Sequence, residues 1–198
     1  MKTGEYVAEL ADRVERVLPV PDERTEYPAL VVLTGLPGTG KSYVARKLAE
    51  KLPFAILQTD AVRKAVFPHP TYEPSESGLV YQVCHELIAR LLAQGVRVVF
   101  DATNLSEGGR RVLYRIAEES GAKLAVVRVT ASERTACERL RRREAGVDAA
   151  ALSDADWAVY QKMRASEERI ARNHFVVNTD RPIEPALDRI VRAVRPPK

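Results

Sequence analysis

Short apolar runs, rich in β-branched residues, alternate with longer amphipathic stretches from Ala29 onward. No other feature constrains the fold of this chain as much. Strand candidates are Ala29–Leu33, Phe54–Leu57, Val96–Phe100, Leu124–Val129 and Phe175–Val177. Between and after them, helical periodicity covers Ser42–Lys51, Asp60–Val66, Ser75–Gln94, Ser106–Ser120, Ser132–Glu144, Ser153–Arg172 and Pro185–Val194. Continuously apolar strands separated by helices are the mark of a parallel sheet buried on both faces. The expected fold is therefore α/β, a three-layer sandwich. Right-handed crossovers place every strand C-terminus on one edge, where ligands of such sheets bind. Upstream, Val7, Leu10, Val14 and Val17 recur at helical steps over 4–18, and the Pro-punctuated segment PVPDERTEYP follows. The expected organisation is an N-terminal helix and connector over 1–28 and one domain over 29–198.

Directly after the first strand comes Gly35-Leu36-Pro37-Gly38-Thr39-Gly40-Lys41-Ser42, which satisfies G-x-x-x-x-G-K-[ST] between a strand and a helix. Glycines at those positions let the backbone curl so that successive N–H groups face phosphate oxygens, and the helix N-terminus adds partial positive charge. Lys41 is expected to reach the β- and γ-phosphates of ATP, and the Ser42 hydroxyl to ligate Mg²⁺. Tyr43, next in the chain, completes the expected nucleotide-binding run.

The other strand ends carry candidate chemistry. Asp60 follows the second strand in TDAVRK, where it could take the proton of an incoming hydroxyl or merely cap a helix. Arg63 lies one turn on, placed to hold an anionic group of the acceptor or to point into solvent. The third strand ends VVFDATN, so Asp101 is the expected carboxylate that orients Mg²⁺. Helix 132–144 carries Arg139, Arg142 and Arg143 on one face, suited to charge developing on a transferring phosphoryl group, or simply a solvated basic face. The loop FPHPTYEP is either an acceptor-facing segment or a plain connector. Cys84, His85, Trp157 and Tyr160 read as packing residues.

Composition narrows the classes. A net charge of +4 with pI near 9.1 permits nucleic acid without requiring it. Cys84 and Cys137 are far apart and form no CxxC, which suits reduced, buried thiols in the cytoplasm. Apolar runs fall short of a bilayer span, and the N-terminus has no signal-peptide core, so no membrane partner is expected.

Taken together, GLPGTGKS, TDAVRK, VVFDATN and the RLRRR helix resemble the bacterial predicted-kinase group often labelled "AAA family ATPase", from about Ala29 to the C-terminus. That group is similar to the kinase module of polynucleotide 5′-hydroxyl kinases and, more distantly, to zeta-toxin and chloramphenicol phosphotransferase-like kinases. The resemblance implies a P-loop sheet of five parallel strands in order 2-3-1-4-5 with a small helical lid around 132–153. It also implies Asp60 as general base and Arg139 or a neighbour as lid arginine. Asp60, Arg63, Asp101, Thr103 and Asn104 fall at the acceptor, and Asn178 and Asp180 in the loop that borders the adenine. No counterpart is expected in these residues for the phosphatase domain of many polynucleotide kinases or the helical lid domain of an AAA motor. The expected function is an ATP-dependent kinase acting on the hydroxyl of a small acceptor, anionic or not. A polynucleotide 5′-hydroxyl kinase and an acceptor-free ATPase or switch are the alternatives.

Overall fold

The computed structural model describes residues 3–147 and 155–195. Five strands form one parallel sheet: β1 (Ala29–Thr34), β2 (Ala55–Gln58), β3 (Val98–Asp101), β4 (Lys123–Thr130) and β5 (Phe175–Asn178). Their order is β2-β3-β1-β4-β5, as the resemblance implies. Eight helices are described: α1 (Thr3–Glu15), α2 (Lys41–Lys51), α3 (Thr59–Val66), α4 (Pro74–Ala93), α5 (Glu107–Glu119), α6 (Glu133–Glu144), α7 (Trp157–Arg164) and α8 (Glu184–Val194). No helix among the described residues is long and apolar enough to cross a membrane.

Strand periodicity sorts the core into two halves, because successive side chains point to opposite faces. Leu30 and Val32 of β1 pack with residues of α1, α3, α4 and α5, including Leu10, Val62, Leu87 and Leu113. Ala29, Val31 and Leu33 pack on the other face with α2 and α8, including Val44, Leu48, Leu187 and Ile190. Every residue of β1 is buried, and the strand lies at the centre of the sheet, so the glycine-rich loop leaves from the middle of the core.

The N-terminal helix belongs to this core. Val7, Leu10, Ala11 and Val14 are buried against α4. Arg90 of α4 forms ion pairs with Asp12 and Glu15, and Arg97 pairs with Glu23 of the connector at 2.6 Å. The helix stops at Glu15, short of the expected 18. Leu18 N–H turns back to Val14 O at 3.0 Å, which packs Leu18 against the core and leaves Val17 71% exposed.

A larger departure concerns the expected helix over 153–172. Positions 153–154 lie outside the described residues, and α7 is capped at its start by the Asp156 carboxylate, which accepts from Val159 N–H at 2.8 Å. It ends at Arg164, and 165–174 are irregular. Beyond it, Glu168 N–H leaves the helical register and donates to Leu105 O at 3.1 Å, beside Arg110, a fully buried cation in α5. Its guanidinium donates to the carbonyls of Asn104, Leu105, Glu168 and Arg169 at 2.7–3.0 Å. Carbonyls drawn to a buried charge are not available to a helical ladder, and the charge is stabilised by having several acceptors at once.

Candidate nucleotide and acceptor site

The glycine-rich loop is held open by its own dihedrals. Gly35, Gly38 and Gly40 have φ of 145°, 77° and 92°, a region where a side chain is strained. Space excludes one as well: a Cβ at Gly35 would sit 2.3 Å from Val129 O, and one at Gly38 would sit 2.8 Å from Ala136 O. Thr39 Oγ1 and Lys41 Nζ both donate to Leu36 O, at 2.8 and 3.0 Å, so the loop closes on itself. The loop leads straight into α2, with Ser42 in the first turn and the Tyr43 ring 43% exposed.

A second loop braces the first. Gly35 N–H donates to Thr103 O at 3.0 Å, and Thr34 Oγ1 to Asn104 O at 3.1 Å. Asn104 is buried with φ 45°, and its Nδ2 donates to Leu33 O at 2.7 Å. Asparagine tolerates that conformation better than most residues. Its amide is thus spent on the β1 backbone, whereas Thr103 is half-buried beside it.

Two carboxylates and two cations converge at the strand ends. Asp101 ends β3 and is buried, accepting from Gln58 Nε2 at 2.8 Å; the register sets Gln58 directly beside it. Asp60 is the second residue of α3, directly after β2. Burial lowers the pKa of the Lys41 ammonium below the usual lysine value; the negative charges of Asp101 and Asp60 pull it back up, and the Arg143 charge pushes it down. A buried ammonium of this kind gains stability from an anionic ligand.

Helix α6 packs over the glycine-rich loop. Arg139 donates to Gly38 O at 3.2 Å and to the Thr179 hydroxyl at 2.8 Å, and that hydroxyl donates on to Thr39 O at 2.8 Å. Arg143 has its Nε buried without a hydrogen-bond partner among the described residues, an orphan donor within electrostatic reach of Lys41. Arg142 is exposed. Three expected lid arginines therefore have three different environments. Apolar contacts hold the helix down: Ala136, Leu140 and Tyr160 cluster with Leu36 of the loop, and Trp157 stacks on Tyr160 at 4.5 Å. Of the expected lid, 148–153 lie outside the described residues.

In the β5–α8 loop, Asp180 accepts from Ser132 N–H at 2.6 Å. The Thr135 hydroxyl and that amide hold the Asp180 carboxyl below its ordinary pKa. Asn178 Oδ1 accepts from Asp180 N–H at 2.9 Å. Both side chains thus tie the loop to α6 and to itself.

Arg63 is the residue whose surroundings differ most from the expectation of a solvent- or ligand-facing side chain. It is buried, and its guanidinium pairs with Glu76 of α4. A second nitrogen donates to Ser77 Oγ at 3.2 Å, and the Tyr72 ring covers it at 4.7 Å. Glu76 also accepts from Thr71 N–H, Thr71 Oγ1 and Tyr72 N–H, at 2.8, 2.9 and 3.2 Å. Burial would push the Glu76 carboxyl up, yet these donors together hold it down at about 2.

Sequence reasoning missed Gln58, Glu76, Tyr81 and Thr179. Gln58 was marked only by standing at a strand end beside the candidate metal carboxylate. Thr179 sat unremarked between two candidates, Asn178 and Asp180. Tyr81 of α4 bonds to Thr103 and the Asn104 backbone, and burial raises its pKa. Glu76 gave no signal, because its pairing with Arg63 depends on the path of the chain between α3 and α4. Cys84 is buried as expected, but Cys137 is half-buried; both thiols are free.

Known proteins share this fold. A family model described as "AAA domain" matches residues 30–170. The L-seryl-tRNA(Sec) kinase of Methanococcus maripaludis is 35% identical over 95 residues, covering 46% of this chain and 36% of that protein. The 6-phosphofructo-2-kinase/fructose-2,6-bisphosphatase 1 of Rattus norvegicus is 28% identical over 118 residues, covering 50% of this chain and 25% of that protein. The match thus spans only about a quarter to a third of these relatives' length. Among solved structures, Chaetomium thermophilum Kti12 in complex with ADP-AlF3 superposes with a TM-score of 0.67 at 21% identity, covering 85% of this chain and 100% of that one. The chain belongs to the AAA domain family and has the fold of its P-loop kinases.

Proposed function

We propose that this protein is a kinase that transfers the γ-phosphate of ATP to the hydroxyl of a small acceptor. One observation carries the reading: the Lys41 ammonium, bonded to Leu36 O at 3.0 Å in the glycine-rich loop, lies within electrostatic reach of Asp101 at the end of β3, of Asp60 at the start of α3 and of Arg143 on α6. An acid for the metal, an acid for the acceptor and a second cation around one phosphate-binding lysine are the parts that phosphoryl transfer needs.

The residues divide the work as follows. Backbone N–H groups of Gly38–Ser42 and the N-terminus of α2 hold the β- and γ-phosphates, and Lys41 neutralises them. Ser42 and Asp101 would hold Mg²⁺, which offsets charge on the phosphate oxygens when bound. Gln58 fixes the Asp101 carboxylate through its 2.8 Å hydrogen bond. Asp60 accepts the proton of the acceptor hydroxyl as its oxygen bonds to the γ-phosphorus and the bond to the ADP oxygen breaks. Arg143, with its orphan Nε, and Arg139 stabilise charge in the transition state. Thr179, Asn178 and Asp180 shape the nucleotide end, and the α6–α7 pair excludes water as a lid.

Two observations favour a small acceptor over a nucleic-acid end. Arg110 is fully buried on backbone carbonyls, and Arg63 is enclosed by Glu76, Ser77 and Tyr72. Neither can follow a phosphate backbone. Arg111 and Arg115 on α5 are exposed, and they are what a polynucleotide reading would use. Incubation with γ-labelled ATP, Mg²⁺ and a panel of polyols, sugars and a 5′-hydroxyl oligonucleotide across a salt series tests the assignment. Label on a small hydroxyl compound, insensitive to salt, is the expected result. Efficient oligonucleotide labelling that falls steeply with salt would replace it with the polynucleotide reading.

A further inference from the structure

The placement of Arg63 bears on what the acceptor can be. Three sides of its guanidinium are occupied. One nitrogen pairs with the Glu76 carboxylate, another donates to Ser77 Oγ at 3.2 Å, and the Tyr72 ring lies 4.7 Å from the guanidinium carbon. The side chains of Arg63 and Glu76 are each only 7% exposed. Glu76 is itself saturated by donors from Thr71 and Tyr72. Tyr72 is held with φ 60°, a left-handed conformation that bulky residues rarely adopt, so the Glu76 bonds fix a strained loop as well as a charge.

We propose that Glu76 is a built-in counter-anion that occupies the place of an acceptor anion on Arg63, and so selects acceptors that are uncharged next to the reacting hydroxyl. An acceptor phosphate or carboxylate would have to displace a buried, multiply bonded carboxylate from its partner, and removing one member of such a pair is strongly unfavourable. A neutral polyol or sugar meets no such barrier. This inference rests on the kinase reading for the identity of the site as an acceptor site. The anion-exclusion part stands on the Arg63–Glu76 contact alone.

The test separates the two. Inorganic phosphate is titrated by calorimetry into protein saturated with Mg²⁺ and a non-hydrolysable ATP analogue, so that the glycine-rich loop is already filled. The same titration is run on Glu76→Gln, which keeps the size and one carbonyl acceptor for the Thr71 and Tyr72 donors, and on the double variant Glu76→Gln with Arg63→Gln. The Glu76→Gln protein is expected to bind phosphate roughly tenfold more tightly than the wild type, as a charge-assisted bidentate site would, and the double variant to lose that gain. Equal affinity in wild type and Glu76→Gln overturns the proposal, whether both bind phosphate or neither does. So does a gain that survives in the double variant. A parallel comparison of γ-phosphate transfer to glycerol and to glycerol 3-phosphate extends the test to turnover. A wild-type preference for the charged member that is lost in Arg63→Gln contradicts the selection of neutral acceptors, while the phosphate titration is unaffected by failure of transfer itself.

Discussion

Around Gly35–Ser42 the backbone shapes the surface, whereas at the edge proposed for the acceptor the side chains of two successive helices, α3 and α4, shape it. Three positive-φ glycines, a helix N-terminus and carbonyl contacts within one octapeptide fix the nucleotide edge. At the acceptor edge, Arg63 on α3 meets Glu76 and Ser77 on α4 and Tyr72 between them. A surface made by backbone can be written in a short motif, because dihedral demands fall on fixed positions. A surface made by side chains depends on how two helices happen to pack. The nucleotide edge therefore follows a generic motif, whereas the proposed acceptor edge rests on how α3 and α4 pack.

Lys41→Ala strikes the generic edge hardest. Loss of the bridging ammonium is expected to lower turnover by roughly a thousandfold or more. The fold should survive, since the Lys41 hydrogen bond to Leu36 O stays within its own loop. Steady-state kinetics beside a thermal melt checks this. Near-wild-type turnover in a folded variant would break the phosphate assignment. Asp60→Asn probes the other edge with a slightly smaller effect, a loss of roughly 10²–10³-fold in transfer at unchanged nucleotide affinity. Retained transfer would reduce Asp60 to a helix-start residue.

Arg143→Ala sharpens the contrast within α6. It is expected to lower kcat roughly ten- to a hundredfold with little change in KM for ATP, the mark of an interaction made in the transition state. Arg142→Ala, altering an exposed side chain, should change kcat far less. Equal effects from the two would return the helix to a plain basic face.

The smallest expected effect is on stability. The Glu76 carboxyl is held at about 2 in the folded state, below its ordinary value of 4.5. A depressed folded value contributes stability that is complete above the unfolded pKa and is lost as pH falls through the folded one. Melting temperatures of the wild type should therefore fall more steeply than those of Glu76→Gln between pH 4.5 and 2. Parallel curves over that window would mean that the pairing adds nothing to folding.

The same division explains what could be read in advance. Strand and helix alternation, the glycine-rich loop and the strand-end acids Asp60 and Asp101 are local patterns, and periodicity or spacing exposes them. Helix α7 was expected to run to Arg172 because its composition is helical. Partners remote in sequence hold the segment beyond Arg164 instead: Glu168 N–H donates to Leu105 O, and Arg110 takes the Glu168 and Arg169 carbonyls. Arg63 was placed correctly on α3 but assigned an open face; Glu76 encloses it through a turn whose path no local pattern specifies. Asn104 read as a substrate residue from its place in DATN, yet its amide is directed to Leu33 O inside the molecule.

The account stands or falls on the fate of the γ-phosphate. Phosphorus NMR of Mg-ATP with the protein, recorded with and without hydroxyl acceptors, reports whether phosphate goes to water or to carbon-bound oxygen. The account predicts slow ATP loss alone, and acceptor-dependent loss accompanied by a phosphomonoester resonance that disappears in Asp60→Asn. Inorganic phosphate released at the same rate with every acceptor and with none would contradict it, and would identify an ATPase that uses the nucleotide edge alone.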